Sequence, residues 1–595
     1  MGQLRVALAQ IDTTVGDLAG NASLVRQWTK QAAAEGAHLV AFPEMTLTGY
    51  PAEDLVLRGS FVAAAHEALE RLAADLVTDG YGDVAVVVGY LDWSPQATPR
   101  LGRPAREPQN AAALLHGGRV VVRYAKHHLP NYGVFDEARY FVPGDALPVF
   151  RLHGIDVAIV ICEDLWQDGG PIAVCAAAGV GLVVCINASP FEQAKISYRT
   201  DLAARRAVEA GAALVYVNSV GGQDELVFDG GSLMVDAGGA VLSRTTQFEQ
   251  TLLVTDLDLA AGHSDLAGPV DALDGTTMAV TRTLLSAEPL APYEPVASPL
   301  EEPLTLLPEV YTALVSATRD YVTKNGFRSV VLGLSGGIDS ALVATIAVDA
   351  LGPEQVFTIG MPSRWSSDHS VDDARDLAQR QGISYTVLPI EAMVAAYQTA
   401  LEQSGGLHGL AAENLQARVR GTTLMALSNE HGHLVLTTGN KSELATGYST
   451  LYGDSAGGFA PIKDVFKTLV WALCRWRNEQ ATLRGEAPPI PENSISKPPS
   501  AELSPGQLDT DSLPSYEVLD ALLDDYIERD LGHDALIAAG HDPALVERVI
   551  RMVDAAEYKR RQYPPGPKTT LKAFGRDRRL PITSRWRERS QLPTG

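Results

Sequence analysis

One hexapeptide restricts the possible folds of this chain more than any other stretch: Ser335-Gly336-Gly337-Ile338-Asp339-Ser340. The apolar run 330–334 precedes it and the apolar segment 341–351 follows it, which predicts a strand, a tight glycine loop and a helix. Such a loop directs successive backbone N–H groups to one point, where the helix N-terminus adds partial positive charge. We therefore expect a phosphate at this point, with the hydroxyls of Ser335 and Ser340 donating to its oxygens and Asp339 holding Mg²⁺.

The loop differs from a Walker A motif because it contains no lysine. It resembles the pyrophosphate loop of the N-type ATP pyrophosphatases, which adenylate a carboxyl or carbonyl oxygen and release pyrophosphate. The alternative is an ordinary Ser/Gly turn before a helix, but the strand–loop–helix context is the one that phosphate binding requires. The resemblance implies that ATP is bound by Gly333, Leu334, Ser335, Gly336, Gly337, Ile338, Asp339 and Ser340.

The length and charge of the chain exclude several classes of protein. With 595 residues the chain is too long for one hydrophobic core, and its 46% hydrophobic residues suffice for at least two domains. A net charge of −24 argues against nucleic-acid binding. No apolar stretch is long enough to cross a membrane, and the apolar run 4–11 lacks the cleavage site of a signal peptide. We therefore expect a soluble, cytoplasmic protein without nucleic-acid or membrane partners, whose four cysteines are reduced.

The first half of the sequence alternates short apolar runs with helical segments. The segments predicted as strands or as a hairpin are 4–12, 38–42, 84–91, 111–123, 155–161, 181–186, 213–218, 231–235 and 252–257. Helices are predicted over 21–35, 172–178 and 194–210. Many strands in succession, with helices between them, predict a two-sheet α/β sandwich.

Three polar residues stand where apolar strands end. Glu44 follows Phe42-Pro43, Lys126 follows Tyr124-Ala125, and Cys162 follows the run 155–161. Each alone has a simpler interpretation: a solvated glutamate, a surface lysine, a core cysteine. Together they have the groups that an acyl-transfer site needs. The carboxylate would take the thiol proton, the thiolate would attack an amide carbon, and the lysine would stabilise the oxyanion.

The contexts of these three residues resemble the Glu-Lys-Cys triad of the nitrilase superfamily of amide and nitrile hydrolases. The resemblance covers residues 1–280 and implies an αββα sandwich. It also implies that Glu137 orients the lysine and the substrate. In nitrilase-type glutaminases the pattern implies that glutamine is bound by Tyr132, Ser189 and Lys195. The other cysteines lie in apolar helix or strand patterns and are predicted to be core residues: Cys175, Cys185 and Cys474.

A proline-rich segment, 286–308, separates the two halves of the sequence. We predict a first domain over 1–285, a semi-rigid linker or strapped connection over 286–308, and a second domain over 309–595. In the second half, strands and helices alternate at a spacing that predicts a doubly wound parallel sheet with ligands at the carboxyl ends of its strands.

Motifs after the glycine loop are similar to those of NAD synthetases, and the whole chain resembles the glutamine-dependent members of that family. The resemblance implies three groups of further site residues. ATP would be bound by Thr438, Lys467 and Ser500; deamido-NAD⁺ by Asn414, Arg418, Glu443 and Lys559; and Mg²⁺ by Asp339 and Glu443. Two departures from the ammonia-only synthetases, Leu451 in place of a lysine and Tyr558 in place of a histidine, affect the region of the dinucleotide contacts.

This resemblance implies that L-glutamine supplies ammonia to a deamido-NAD⁺ carboxyl group that ATP has activated, with Mg²⁺ as cofactor. The family also implies an ammonia channel and a homo-oligomer, and the Pro/Ser-rich segment 484–512 is a candidate lid over the ATP site. A GMP-synthetase-type ligase would pair the same loop with a different class of glutaminase. A second alternative is an amidase fused to a nucleotide-binding regulatory module.

Overall fold

The computed structural model describes residues 2–94, 107–262, 264–586 and 588. It divides into two compact units, one of Met1–Gln223 with Phe228–Thr305 and one of Asp224–Val227 with Leu306–Gly595. The domain limits taken from the sequence, 1–285 and 309–595, stay a prediction. Among the described residues, no helix combines the length and the apolar character needed to cross a membrane.

The part of the chain before residue 306 is rich in strands. Its strands are β1 (Gly2–Gln10), β2 (Leu39–Ala41), β3 (Ala85–Trp93), β4 (Pro108–His116), β5 (Arg119–Ala125), β6 (Ala146–Leu152), β7 (Ile155–Ile161), β8 (Leu182–Asn187), β9 (Ala213–Asn218), β10 (Val220–Gln223), β11 (Leu226–Asp229), β12 (Leu233–Val235), β13 (Val241–Arg244), β14 (Thr251–Leu259), β15 (Gly268–Asp271) and β16 (Thr277–Leu284). Its α-helices are α1 (Leu18–Ala34), α2 (Gly59–Thr78), α3 (Glu137–Tyr140), α4 (Glu163–Trp166), α5 (Gly170–Ala178) and α6 (Lys195–Ala210).

Two mixed sheets form the first unit. The six-stranded sheet has the order β14-β1-β2-β3-β4-β5, and the eight-stranded sheet has the order β13-β12-β9-β8-β7-β6-β16-β15. Alternate side chains of β1 face opposite sides: Leu4 and Val6 pack into the cluster that contains the β7 strand, whereas Ala7 packs with α1 and α2 residues such as Val25 and Leu72. The arrangement is the predicted nitrilase-like αββα sandwich.

The proline-rich segment lies along the first unit as an irregular strap. Arg5 Nη2 donates to the carbonyl of Glu294 at 2.8 Å, and the N–H of Val296 donates to Asp256 Oδ2 at 2.7 Å. Ser298 Oγ donates to the Val254 carbonyl at 3.0 Å. Of the two forms considered from the sequence, these contacts favour the strapped connection.

Beside this strap, His38 is held in its neutral form. Its Nδ1 accepts the N–H of Arg5 at 3.0 Å, which requires an unprotonated nitrogen, and its ring lies 5.5 Å from that of His153. Burial, helped by His153 and Arg5, lowers the pKa of His38 to about 4. Asp256 opposes this shift.

We predict that His38 makes the first unit acid-sensitive. A lowered folded-state pKa means that the unfolded chain binds the proton more readily, so the stabilisation is complete above pH 6.5 and is lost as the pH falls towards 4. His38→Asn keeps an acceptor for the Arg5 N–H but does not titrate. The unfolding temperature of H38N should therefore fall less than that of the wild type between pH 7 and pH 4.5; parallel curves would contradict the prediction.

The second unit alternates strands and helices. Its strands are β17 (Val330–Gly333), β18 (Val356–Gly360), β19 (Ser384–Val387) and β20 (Leu434–Val435). Its α-helices are α7 (Leu306–Lys324), α8 (Ile338–Leu351), α9 (Asp368–Gln381), α10 (Glu391–Leu401), α11 (Leu410–His431), α12 (Lys441–Thr446), α13 (Lys467–Leu483), α14 (Glu492–Ser496), α15 (Tyr516–Leu523), α16 (His533–Ala538), α17 (Pro543–Ala555) and α18 (Glu557–Arg560).

The four strands of this unit form a parallel sheet in the order β19-β18-β17-β20. Helices α10 and α11 pack on one face of the sheet through Val394, Val419 and Leu424. Helix α8 contacts β17 and β18, and α7 packs against α8. The strand order reverses at β17, which is followed by the glycine loop. Such a reversal leaves a crevice at the carboxyl ends of the strands, where open α/β sheets bind ligands. The predicted doubly wound parallel sheet is confirmed.

Candidate active sites

Cys162 occupies a tight connection between β7 and the short helix α4. Its backbone φ is 44°, a left-handed conformation that side-chain-bearing residues rarely adopt. Its N–H donates to the Ile186 carbonyl on the neighbouring strand β8 at 3.0 Å. The side chain is 4% exposed, so the strained turn fixes a nearly buried thiol at the end of a strand.

A buried lysine joins two carboxylates beside this thiol. Lys126 Nζ donates to Glu44 Oε1 at 2.7 Å and to Glu137 Oε1 at 3.0 Å. Glu44 also accepts from Asn110 Nδ2 at 2.7 Å and from the N–H of Ala188 at 2.9 Å. Since Lys126, Glu44 and Glu137 are all buried, these hydrogen bonds hold each group in a defined place.

The charges of this cluster act on the thiol in opposite directions. Burial raises the pKa of Cys162 well above its ordinary value; Glu44 raises it further and Lys126 opposes the shift. Burial by itself would lower the pKa of Lys126, but Glu137 and Glu44 hold that pKa well above its ordinary value. The resting thiol is therefore protonated and needs a base, while the lysine stays a cation that can stabilise a negatively charged intermediate.

The three residues predicted to contact glutamine lie around the same turn. Tyr132 is largely exposed and its hydroxyl donates to Glu163 Oε2 at 2.9 Å, next to Cys162 in the chain. Ser189 is buried in the turn that follows β8. Lys195, at the start of α6, donates to the Pro190 carbonyl at 3.2 Å. Their role in binding glutamine stays a prediction.

Two polar residues of this site were missed from the sequence. Asn110 immediately precedes the predicted hairpin 111–123, and its link to Glu44 depends on the strand order β2-β3-β4, which the sequence does not display. Asp164 accepts from the Tyr124 hydroxyl at 2.7 Å, from the N–H of Ile161 at 2.9 Å and from the N–H of His128 at 2.9 Å. It fixes the chain on both sides of the cysteine turn and the segment after Lys126.

In the second unit, the glycine loop connects β17 to α8 in the predicted way. Gly336 has φ 78°, and a Cβ at this position would lie 2.2 Å from the Ser370 carbonyl oxygen, so only glycine fits. Ser335 Oγ and Ser340 Oγ are 3.1 Å apart, and the N–H of Gly337 donates to Ser335 Oγ at 3.2 Å. The loop is therefore compact, with its hydroxyls together at the N-terminus of α8.

A lysine and two carboxylates meet at this helix end. Lys467 Nζ contacts Asp339 Oδ2 and lies 3.8 Å from Glu443 Oε1, while Asn440 Nδ2 donates to Asp339 Oδ1 at 2.9 Å. Burial and the neighbouring charge of Asp339 raise the pKa of Glu443 well above its ordinary value, although Lys467 opposes the shift. Two carboxylates that repel each other and lack sufficient compensation form a donor set suited to a divalent cation.

Three of the four residues predicted to contact the dinucleotide converge on the segment 447–451, whereas Glu443 lies beside Lys467. Asn414 Oδ1 accepts from Thr450 Oγ1 at 2.8 Å, and Arg418 Nε donates to the Leu451 carbonyl at 3.2 Å. Lys559 Nζ donates to the carbonyls of Gly447 and Ser449, each at 2.7 Å. Their role in binding the dinucleotide stays a prediction.

Two residues predicted to bind ATP are less constrained. Thr438 is half-buried after β20, and the exposed Ser500 donates through its hydroxyl to the Gln507 carbonyl within the predicted lid. Ser500 thus stabilises a turn of its own segment in this structure. Both assignments stay predictions.

Comparisons with known proteins agree with this division of the chain. The Carbon-nitrogen hydrolase family matches residues 5–264, and the NAD synthase family matches residues 310–563. The chain is 44% identical to the glutamine-dependent NAD(+) synthetase of Thermotoga maritima, over 99% of this chain and 100% of that protein. It is 40% identical to that of Acinetobacter baylyi, over 99% of both.

Solved structures give the same result. The glutamine-dependent NAD+ synthetase of Acinetobacter baumannii, solved in complex with adenosine diphosphate, has 38% identity and a TM-score of 0.71, with 99% of this chain and 100% of that chain covered. The glutamine-dependent NAD(+) synthetase of Cytophaga hutchinsonii, at 21% identity and a TM-score of 0.76, shares the fold. The chain belongs to the family of glutamine-dependent NAD(+) synthetases.

Proposed function

We propose that this chain converts deamido-NAD⁺ to NAD⁺ with ATP, using ammonia that it releases from L-glutamine. It is a ligase that forms a carbon–nitrogen bond. The observation that carries the proposal is that one chain holds both a buried Glu–Lys–Cys cluster on an αββα sandwich and a glycine loop at the strand-order reversal of a parallel sheet. The Glu–Lys–Cys cluster is suited to amide hydrolysis, and the glycine loop is suited to binding the phosphates of ATP.

In the first unit, we infer that Glu44 takes the proton of the Cys162 thiol as the sulfur attacks the glutamine amide carbon. Lys126 stabilises the resulting oxyanion, and Glu44 passes the proton to the nitrogen as the carbon–nitrogen bond breaks, so that ammonia leaves and the thioester forms. Water then hydrolyses the thioester to glutamate. Glu137 keeps Lys126 in place through the 3.0 Å contact, and Tyr132, Ser189 and Lys195 orient the amino acid.

In the second unit, we infer that the glycine loop and Lys467 bind the phosphates of ATP. The carboxylate of deamido-NAD⁺ attacks the α-phosphorus and pyrophosphate leaves. Ammonia then attacks the activated carbonyl carbon, and AMP leaves with the carbonyl–oxygen bond pair. The phosphates of ATP and the carboxylate of deamido-NAD⁺ are both negatively charged. Cationic side chains such as Lys467, Arg418 and Lys559 are therefore suited to hold them together.

The carboxylates of Asp339 and Glu443 fit Mg²⁺. They face one lysine, and the pKa of Glu443 is raised by burial and by the charge of Asp339, so a divalent cation would relieve their repulsion. When bound, Mg²⁺ would neutralise negative charge on the phosphates of ATP while the adenylyl group is transferred. Homo-oligomeric state, an internal route for ammonia, and cytoplasmic location remain predictions from the sequence.

The alternative, an amidase fused to a nucleotide-binding regulatory module, predicts different products. We expect wild-type protein to convert ATP to AMP and pyrophosphate in a 1:1 ratio with NAD⁺, and only when deamido-NAD⁺ is present. A regulatory module would leave ATP intact. Glutamate release from glutamine without any ATP turnover in the presence of deamido-NAD⁺ would therefore favour the alternative.

A further inference from the structure

Arg199 is a fully buried arginine that the reaction scheme above does not use. It lies one turn after Lys195 on α6, and its relative exposure is 0%. Nη1 contacts both carboxylate oxygens of Asp229 at 2.7 and 2.8 Å. Nη2 donates to the carbonyls of Ser189 at 3.1 Å and Pro190 at 2.9 Å.

These contacts connect the guanidinium to the turn that presents Ser189. The Pro190 carbonyl accepts from both Arg199 and Lys195, so the two predicted glutamine contacts, Ser189 and Lys195, are linked through one fork-shaped group. A guanidinium is planar and can satisfy a carboxylate and two carbonyls at once, which an ammonium group at the same position cannot do with the same geometry. Arg199 therefore fixes the distance between α6 and the turn.

The reacting groups are supported separately. Asn187, just before the turn, donates through Nδ2 to the carbonyls of Cys185 at 3.1 Å and Val217 at 3.0 Å. Glu44 is held by Lys126 and Asn110, which lie outside the turn, and its third bond comes from the N–H of Ala188, next to the anchored Asn187. A change at Arg199 should thus move the substrate contacts and leave the base and the lysine in place.

We propose that Arg199 is a positioning residue for glutamine recognition: by holding the Ser189 and Pro190 carbonyls against Asp229, it sets the spacing between Ser189 and Lys195. This inference rests on the proposed glutaminase function of the first unit. It assigns Arg199 an effect on substrate binding and none on thioester chemistry. This selective effect distinguishes a positioning role of Arg199 from the role of a buried arginine that only stabilises the fold.

The test compares Arg199→Lys with a matched arginine elsewhere in the first unit. Arg282 donates to Asp156 Oδ2 at 2.9 Å and to the carbonyls of Ala178 and Leu266, each at 2.7 Å. Like Arg199, it thus combines one carboxylate with two carbonyls, but it contacts none of the predicted glutamine site. Initial rates of NAD⁺ formation are measured with glutamine and, separately, with ammonium chloride for wild type, R199K and R282K.

For R199K we expect the KM for glutamine to rise about tenfold, from the loss of a charged hydrogen bond, with kcat within about twofold. The ammonium-driven rate should not change. R282K should keep the wild-type KM for glutamine. An unchanged KM in R199K, or an equal rise in R282K, would overturn the proposal.

Two further outcomes are also decisive. If R199K does not fold, Asp229→Asn is used; it keeps the shape of the partner but weakens the anchor, so the KM for glutamine should rise about threefold, and an unchanged KM overturns the proposal. If wild-type protein uses ammonium but not glutamine, the glutaminase assignment fails and the role of Arg199 fails with it. If the wild type uses glutamine and R199K keeps the wild-type KM for glutamine, the glutaminase assignment stands and only the role of Arg199 fails.

Discussion

We expect Cys162→Ala to lower glutamine-driven NAD⁺ formation by at least about 10⁴-fold and to leave the ammonium-driven rate at the wild-type level. The side chain is the nucleophile in the proposed thioester route, and the charges of Glu44 and Lys126 both act on its thiol. Alanine keeps the Cβ, so the strained φ of 44° is no less tolerable than before. The measurement is NAD⁺ formation with each nitrogen donor.

Cys175→Ala provides the matched control for the loss of a buried thiol. Cys175 is buried in α5, within the apolar core of the first unit. Its replacement should lower stability slightly through a small cavity and keep both activities. Equal losses of glutamine-driven activity in both variants would mean that the effect of Cys162→Ala is structural and would contradict the triad.

The second large effect is expected for Asp339→Asn. Its carboxylate accepts from Asn440, contacts Lys467 and is one of the two proposed Mg²⁺ ligands. Removal of this charge should lower NAD⁺ formation by about 10³-fold with glutamine and with ammonium alike, because both routes share the adenylation step. Glutamate release from glutamine by the first unit should persist. The assay follows NAD⁺ and pyrophosphate with each donor.

Asp349→Asn tests whether any lost carboxylate on α8 has this effect. Asp349 lies at the opposite end of the same helix, where it accepts from Arg477 Nε at 2.7 Å and from the Tyr311 hydroxyl at 2.6 Å. Because it is remote from the glycine loop, its variant should keep most of the NAD⁺ formation. A D339N enzyme with near-normal rates at saturating Mg²⁺ would rule out the proposed ligand pair.

Local sequence signals predicted much of the fold. The strand–loop–helix around Gly336 is visible because an apolar run, a glycine pair and a helical segment are adjacent in the chain. Most strands of the first unit also matched their apolar runs, with shifts of a few residues at the ends. In the second unit, β19 covers only Ser384–Val387 and ends before Pro389, which cannot donate to a ladder.

Several elements of the first unit were missed, and two of them were missed for different reasons. Strand β6, Ala146–Leu152, contains a proline and pairs in parallel with β16, about which the local sequence gives no information. Helix α2, Gly59–Thr78, was detectable, because its buried residues Leu69, Leu72 and Leu76 recur at helical spacing.

The site was predictable where its residues follow strand ends and not where they depend on distant partners. Glu44, Lys126 and Cys162 could be selected from their contexts. Arg199 could not, because an arginine in a polar helix is usually solvated and its partner Asp229 lies 30 residues further along the chain. Buried polar networks of this kind become visible only when the strands are paired.

The most direct test of the account is transfer of nitrogen from glutamine to the dinucleotide. Wild-type protein is supplied with deamido-NAD⁺, ATP, Mg²⁺ and glutamine labelled with ¹⁵N in its side-chain amide, and the product is analysed by mass spectrometry. The account predicts NAD⁺ with ¹⁵N in its carboxamide, together with equal amounts of glutamate, AMP and pyrophosphate. Release of labelled ammonia with deamido-NAD⁺ left unchanged would contradict it.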